Sequence, residues 1–180
     1  MAPATRRILA VALALTVPGC SSTSATNNSA STTAPAASPV PSGPPPRVDL
    51  IDDAVAALEA QLGGPQRYFE INATAQLVNL FVGLNGGALV RPWVYLDGEL
   101  SATDPLPATG HSFAGSAVDF DPDKVLSPLQ AELPQSRPDV FFIEGGDEGI
   151  VRYSVTVTSP QGGQLVVVVG PDGTVKSVEA

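Results

Sequence analysis

The sequence predicts an α+β domain in which a helix followed by antiparallel strands occurs twice. The strands form one continuous or paired antiparallel sheet, with the helices on one face. Three observations predict it. Ile51, Val55, Leu58 and Leu62 recur at spacings that put them on one side of a helix. Val151, Tyr153, Val155 and Val157 alternate with Arg152, Ser154, Thr156 and Thr158, as in a strand with one buried and one wet face. The segments of the first half also return in the second at a nearly constant distance. Phe69 to Phe142 and Leu77 to Ile150 are 73 residues apart, Gly87 to Gly163 is 76, and Asp97 to Asp172 is 75.

The chain opens with Arg6 and Arg7, runs through the apolar residues Ile8 to Val17, and reaches Pro18-Gly19-Cys20. A basic start, a short apolar run and a small residue before the cut describe a secretory leader over residues 1–19. The run falls short of the roughly 20 residues needed to span a bilayer. Val17-Pro18-Gly19-Cys20 resembles the lipobox of bacterial lipoproteins, with Pro18 where that family usually has a small or aliphatic residue. The resemblance implies cleavage before Cys20 and a diacylglyceryl thioether on it. The protein is then lipid-anchored to the cell membrane on its extracytoplasmic face. The alternative is an ordinary secretory leader with a chance cysteine. Cys20 is the only cysteine, so the fold has no internal disulfide.

Residues 20–47 read as a stalk. Between 21 and 47 there is no aromatic residue and one large aliphatic, Val40. Such a stretch buries too little apolar surface to offset its ordering entropy. Its Ala/Pro/Ser/Thr composition resembles the stalks of actinobacterial envelope lipoproteins, and if flexible it spans roughly 30 Å.

The foldable part is residues 48–180. Repeat one covers about 48–102, a linker about 103–116, and repeat two about 117–180. The first helix runs from Asp49, a suitable N-cap, to Leu62, where Gly63-Gly64-Pro65 stops it. Strands follow at Tyr68–Asn72, Gln76–Val82 and Ala88–Leu96, with a turn at Asp97-Gly98. In the second half Asp121-Pro122 starts a helix and Pro128 interrupts it. Ser127-Pro128-Leu129-Gln130 reads as a fresh capping box. The expectation is a kinked helix or two short turns ending near Leu133. Strands follow at Val140–Glu144, Ile150–Thr158 and Gln164–Val169, with a turn at Asp172-Gly173. Leu165–Val169 is apolar on both sides and is expected at the centre of the sheet. This twice-repeated element order resembles the tandem PepSY-like and β-lactamase-inhibitor-protein-like folds. The likeness implies a domain that binds proteins or regulates peptidases and hydrolases.

Removing the leader leaves seven of the nine basic residues against all eighteen acidic ones, a net charge of −11. Such a surface repels phosphate backbones, so no nucleic-acid partner is expected. Gly110-His111-Ser112 approaches a nucleophile elbow, but no strand precedes it and its second glycine comes one place late. Asp119, Asp121 and Asp123 begin like a calcium loop, yet Lys124 and Gln130 stand where Gly and Glu are required. The tip Glu144-Gly-Gly-Asp147-Glu148 reads as a solvated turn. No catalytic set, no metal site and no cofactor are expected, and the protein is read as a non-enzyme. Alternation suggests that Phe81, Arg91, Trp93 and Tyr95 share the open sheet face as a partner-binding patch. The competing reading turns Trp93 and Tyr95 toward the helices or the other repeat. The expected function is a non-enzymatic envelope lipoprotein that binds another envelope protein, as an inhibitor or assembly factor. The alternative is a carrier of lipid or another apolar ligand.

Overall fold

A computed structural model describes residues 42–179. The leader, Cys20 and the stalk up to residue 41 lie outside the described residues. The first half contributes helix α1 (Ile51–Leu62) and strands β1 (Arg67–Ala73), β2 (Val78–Leu84), β3 (Leu89–Leu96) and β4 (Glu99–Ala102). The linker holds two short strands, β5 (Leu106–Pro107) and β6 (Phe113–Ala114). The second half contributes helix α2 (Ser127–Glu132) and strands β7 (Arg137–Gly145), β8 (Val151–Thr158), β9 (Gln164–Val169) and β10 (Val175–Glu179). All belong to one sheet ordered β10-β9-β8-β7-β1-β2-β3-β4, with β5 beside β3 and β6 beside β1. Each half is therefore a four-stranded antiparallel meander, and β1 pairs antiparallel with β7 where the halves meet.

The molecule is mostly sheet, with less helix than expected. α1 has 12 residues and α2 only six. Proline explains the shortfall in the second half. Pro128 sits in the first turn of α2, where a missing N–H costs nothing. The residues before it form separate turns, with the Val125 N–H donating to Asp121 O at 2.8 Å. Two short turns thus replace a kinked helix. The Ser127 capping box does not form. Ser127 is the first helical residue, and its hydroxyl donates back to Asp123 O. Asp49 is not a cap either, because Arg47 takes its carboxylate at 2.8 Å and α1 is entered through a 3-10 turn at Val48–Leu50. The exit follows expectation: Gly63 adopts φ 81°, and the Gly64 N–H donates to Glu59 O at 2.8 Å.

One sheet face carries the core. Tyr68, Ile71, Val78, Leu80, Val82, Phe141, Ile143, Val155, Val157 and Val167 are at or near zero exposure beneath Ile51, Ala54, Leu58, Val125 and Leu129. Leu62, expected on the buried stripe, is 38% exposed. Over the second half, Phe120, Phe141 and Tyr153 pack with ring centroids 5.2 to 6.1 Å apart. The Tyr153 hydroxyl donates to Asp119 O and accepts from Asp119 N–H, both at 3.0 Å. β9 is not central: it lies next to the edge strand β10, and the centre is the β1–β7 seam. Val166 on its outer side is 39% exposed.

The seam forks at one end. β1 and β7 pair over Glu70–Ala73 and Phe141–Glu144. Beyond that, Phe113 and Ala114 pair with Tyr68 and Arg67, while His111 bridges to Gly145. The linker thus closes the fork. Phe113 is 1% exposed and packs 6.0 Å from Tyr68. A side chain at Gly145 would meet the His111 carbonyl, its carbon at 2.8 Å, which is why this position has none.

Candidate functional site

Register decides which residues share the open face. Trp93 pairs with Leu80, Tyr95 with Val78 and Arg91 with Val82. Direct cross-strand partners lie on one face, and Leu80, Val78 and Val82 are fully buried. Trp93, Tyr95 and Arg91 therefore stand on the helix-covered side, and only Phe81 of the four expected patch residues is on the open side. The cause is the β2–β3 turn. Leu84 pairs with Leu89 across four residues, and a slip of one residue would have reversed every side chain. Trp93 is 7% exposed, and its indole Nε1 has no hydrogen-bond acceptor among the described residues.

The open face is read from the same registers. One row runs Val94–Asn79–Asn72–Phe142–Ser154–Val168 across β3, β2, β1, β7, β8 and β9. The next row runs Pro92–Phe81–Glu70–Glu144–Arg152. Asn72 and Ser154 flank Phe142 in register and are 7% and 8% exposed, although they face away from the helices. Small polar groups beside a large ring lose water to it, which gives the centre of the face a partly apolar floor.

A hydrogen-bond chain crosses this floor. Asn79 Nδ2 donates to Asn72 Oδ1 at 2.7 Å, and Asn72 Nδ2 donates to Glu70 Oε1 at 2.5 Å. Burial pushes the Glu70 carboxyl above its ordinary value against the pull of the Asn72 bond, and the Glu144 charge adds to the rise. The two carboxylates are direct neighbours across β1 and β7. Neither is in an ion pair among the described residues, whose ion pairs are Arg47–Asp49, Lys124–Asp121 and Arg137–Asp139, with a further contact between His111 and Asp147.

No family model, curated protein or solved structure matches the chain. What the site can do therefore rests on its own geometry.

The other singled-out motifs lie elsewhere. His111 Nε2 is 3.0 Å from Asp147 Oδ1, on an exposed turn. Ser112 Oγ accepts from Arg67 Nε at 3.0 Å, and its carbonyl accepts from Arg67 Nη2. These contacts pin the linker to the fork and do not link the hydroxyl to the imidazole. Asp121 accepts from Lys124 and from the Asp123 N–H. The described residues contain no group of three His, Cys, Asp or Glu placed to hold a metal, and none of their helices is long and apolar enough to cross a membrane. Residues 42–47, expected to be stalk, touch the domain. Pro46 is buried, the Arg47 N–H donates to Thr74 O at 2.8 Å, and Ser42 O accepts from Arg137 Nη1 at 3.0 Å.

Sequence reasoning missed Glu70, Asn72 and Phe142, placed Asn79 on the open side without assigning it a role, and read Glu144 as part of a solvated turn, whereas it lies inside β7. A signal for one of them was present. In Val140-Phe141-Phe142-Ile143 both alternating positions are apolar, so one of the two phenylalanines must lie on the outer face.

Proposed function

We propose that this is a non-enzymatic, lipid-tethered envelope protein whose open sheet face binds another protein. The observation that carries it is the unequal covering of one sheet. Helices and linker bury one face, while among the described residues nothing covers Phe81, Val94, Phe142, Val166 and Val168 on the other. An exposed face with aromatic and aliphatic residues at its centre and polar residues between them is the composition of a partner surface. We read the two meanders as tandem copies of one helix-plus-strands unit. The symmetric sheet order supports this, and the seam between copies then lies at the middle of the binding face. A carrier of lipid needs space between helices and sheet, and that layer is filled by Ile51, Leu58, Leu80 and Phe141, all at zero exposure.

A photo-crosslinking side chain in place of Phe142, in the intact envelope, is expected to form a discrete protein adduct. The same group in place of Asp53, exposed on α1, is expected to form none. Absence of an adduct at 142, or equal adducts at both positions, rejects the reading. The tether is tested apart from the face. Incorporation of a fatty-acid analogue is expected in the wild type and lost in Cys20→Ala, and incorporation that survives the substitution removes the lipid from Cys20.

A further inference from the structure

We propose that Glu70 and Glu144, framed by Phe81 and Phe142, receive a cationic side chain from a basic segment of the partner polypeptide. This rests on the open face being a protein-binding surface and names the chemistry of what it binds.

The pair is an unfavourable arrangement in the free protein. Residues directly opposed on antiparallel strands have Cβ atoms about 4.5–5.5 Å apart, and like charges there are destabilising. Glu70 and Glu144 are so opposed, at the seam in the middle of the face. A natural counter-charge stands nearby and is not used. Arg152 is the cross-strand partner of Glu144, but its stem lies along Gly146, where an added Cβ would be 3.3 Å from the arginine Cδ. It forms no ion pair among the described residues.

The carboxylate is also held in place. The Asn79–Asn72–Glu70 chain engages one oxygen of Glu70, Oε1, and orients the group. A half-buried carboxylate is poorly hydrated, so it gains more from an arriving cation than a fully solvated one does. The aromatic residues define what kind of cation. Phe81 is the other cross-strand neighbour of Glu70, and Phe142 stands beside Asn72 in the adjoining row. Aromatic rings next to carboxylates suit the aliphatic stem and charged head of Arg or Lys. They do not suit a bare metal ion. Calcium takes six to eight oxygen ligands, and the described residues bring no third acidic or imidazole ligand to the pair.

Charge excludes the other occupants. A chain carrying −11 after loss of its leader repels anionic lipid and nucleic acid. A second copy would set Glu70 and Glu144 against the same pair, compounding the repulsion. A basic polypeptide is the occupant with complementary charge.

The test uses the isotope-labelled full chain in neutral detergent micelles. It is titrated with a short peptide of alternating arginine and valine, and with the same peptide carrying citrulline for arginine. The arginine peptide is expected to shift amide signals of β1, β2 and β7 and to bind about tenfold more tightly than the citrulline peptide. That advantage is expected to disappear in the E70Q/E144Q double variant and at roughly 0.5 M salt. Glutamine keeps the shape of glutamate and relieves the like-charge contact. The variant's thermal midpoint should therefore stay at or above wild type, so that lost binding reports lost charge. Arginine-peptide binding that survives E70Q/E144Q, or no shift at these strands with either peptide, overturns the proposal. Equal binding of both peptides, abolished for both by Phe81→Ser, also overturns it while leaving the protein-binding reading intact. That reading stands or falls on the crosslinking at position 142.

Discussion

The two faces of the sheet are built from the same strands and even from adjacent residues, yet they are held by different forces. Phe141 and Phe142 show the contrast most directly. Phe141 is at zero exposure beneath the helix layer, stacked on Tyr153 and tilted against Phe120. Phe142 is half-buried on the other side, between Asn72 and Ser154. The covered face contributes stability through burial. The open face combines apolar rings with an unneutralised pair of carboxylates, a combination that does little for the free fold. A sheet with one packed face and one such face draws its stability from one side only.

Substitutions can break that contrast. The largest effect is expected at Phe141→Ala, a loss of about 3–5 kcal/mol from transfer and cavity terms. Phe142→Ala, one residue on, is expected to cost less than about half as much. Denaturant unfolding of both variants checks this, and equal losses would mean that the open face is packed as tightly as the covered one. Gly145→Ala comes next. Its methyl group would press on the His111 backbone where the linker closes the fork, with an expected loss of about 1–3 kcal/mol. Hydrogen exchange is expected to speed up at the amides of β6 while those of β9 stay protected.

The smallest effect sharpens the comparison through its sign. The folded state raises the pKa of Glu70, so the folded protein holds that proton more tightly than the unfolded chain does. Its favourable contribution is complete at acidic pH. It is lost as pH climbs from the ordinary carboxylate range through the raised folded value. Glu70→Gln stays neutral and can still accept the Asn72 bond. The variant is expected to be at least as stable as wild type at neutral pH, and its advantage should shrink toward about pH 4. Thermal midpoints across that range check it, and an advantage that grows toward acid would reverse the assignment.

Much of the fold was legible because strand and helix periods are local. The alternation from Val151 to Thr158 became β8 with its buried and open sides as expected, and Gly63 ended α1 through the left-handed conformation that glycine adopts at least cost. Capping was less legible. Asp49 and Ser127 have the right chemistry for N-caps, but Arg47 claims one and the backbone of Asp123 the other. These partners lie within a few residues, yet the choice among competing acceptors depends on how the chain enters the core.

The candidate site was hardest to read, for a reason specific to sheets. Whether Trp93 shares the outer face with Phe81 depends on the residue count of the β2–β3 turn, and the four-residue connection sends Trp93 inward. The Glu70–Glu144 pair was out of reach altogether, because it exists only through β1–β7 pairing between segments about 70 residues apart. The sequence by itself determined six of the ten strands, the first helix, the acidity and the alternation along β8, but not the short or edge strands β4, β5, β6 and β10. Only the tertiary structure decided which strand meets which, and in what register. A strand's own pattern specifies its two sides, whereas the neighbour across the sheet is specified by turns, helix docking and the closing of the fork acting together.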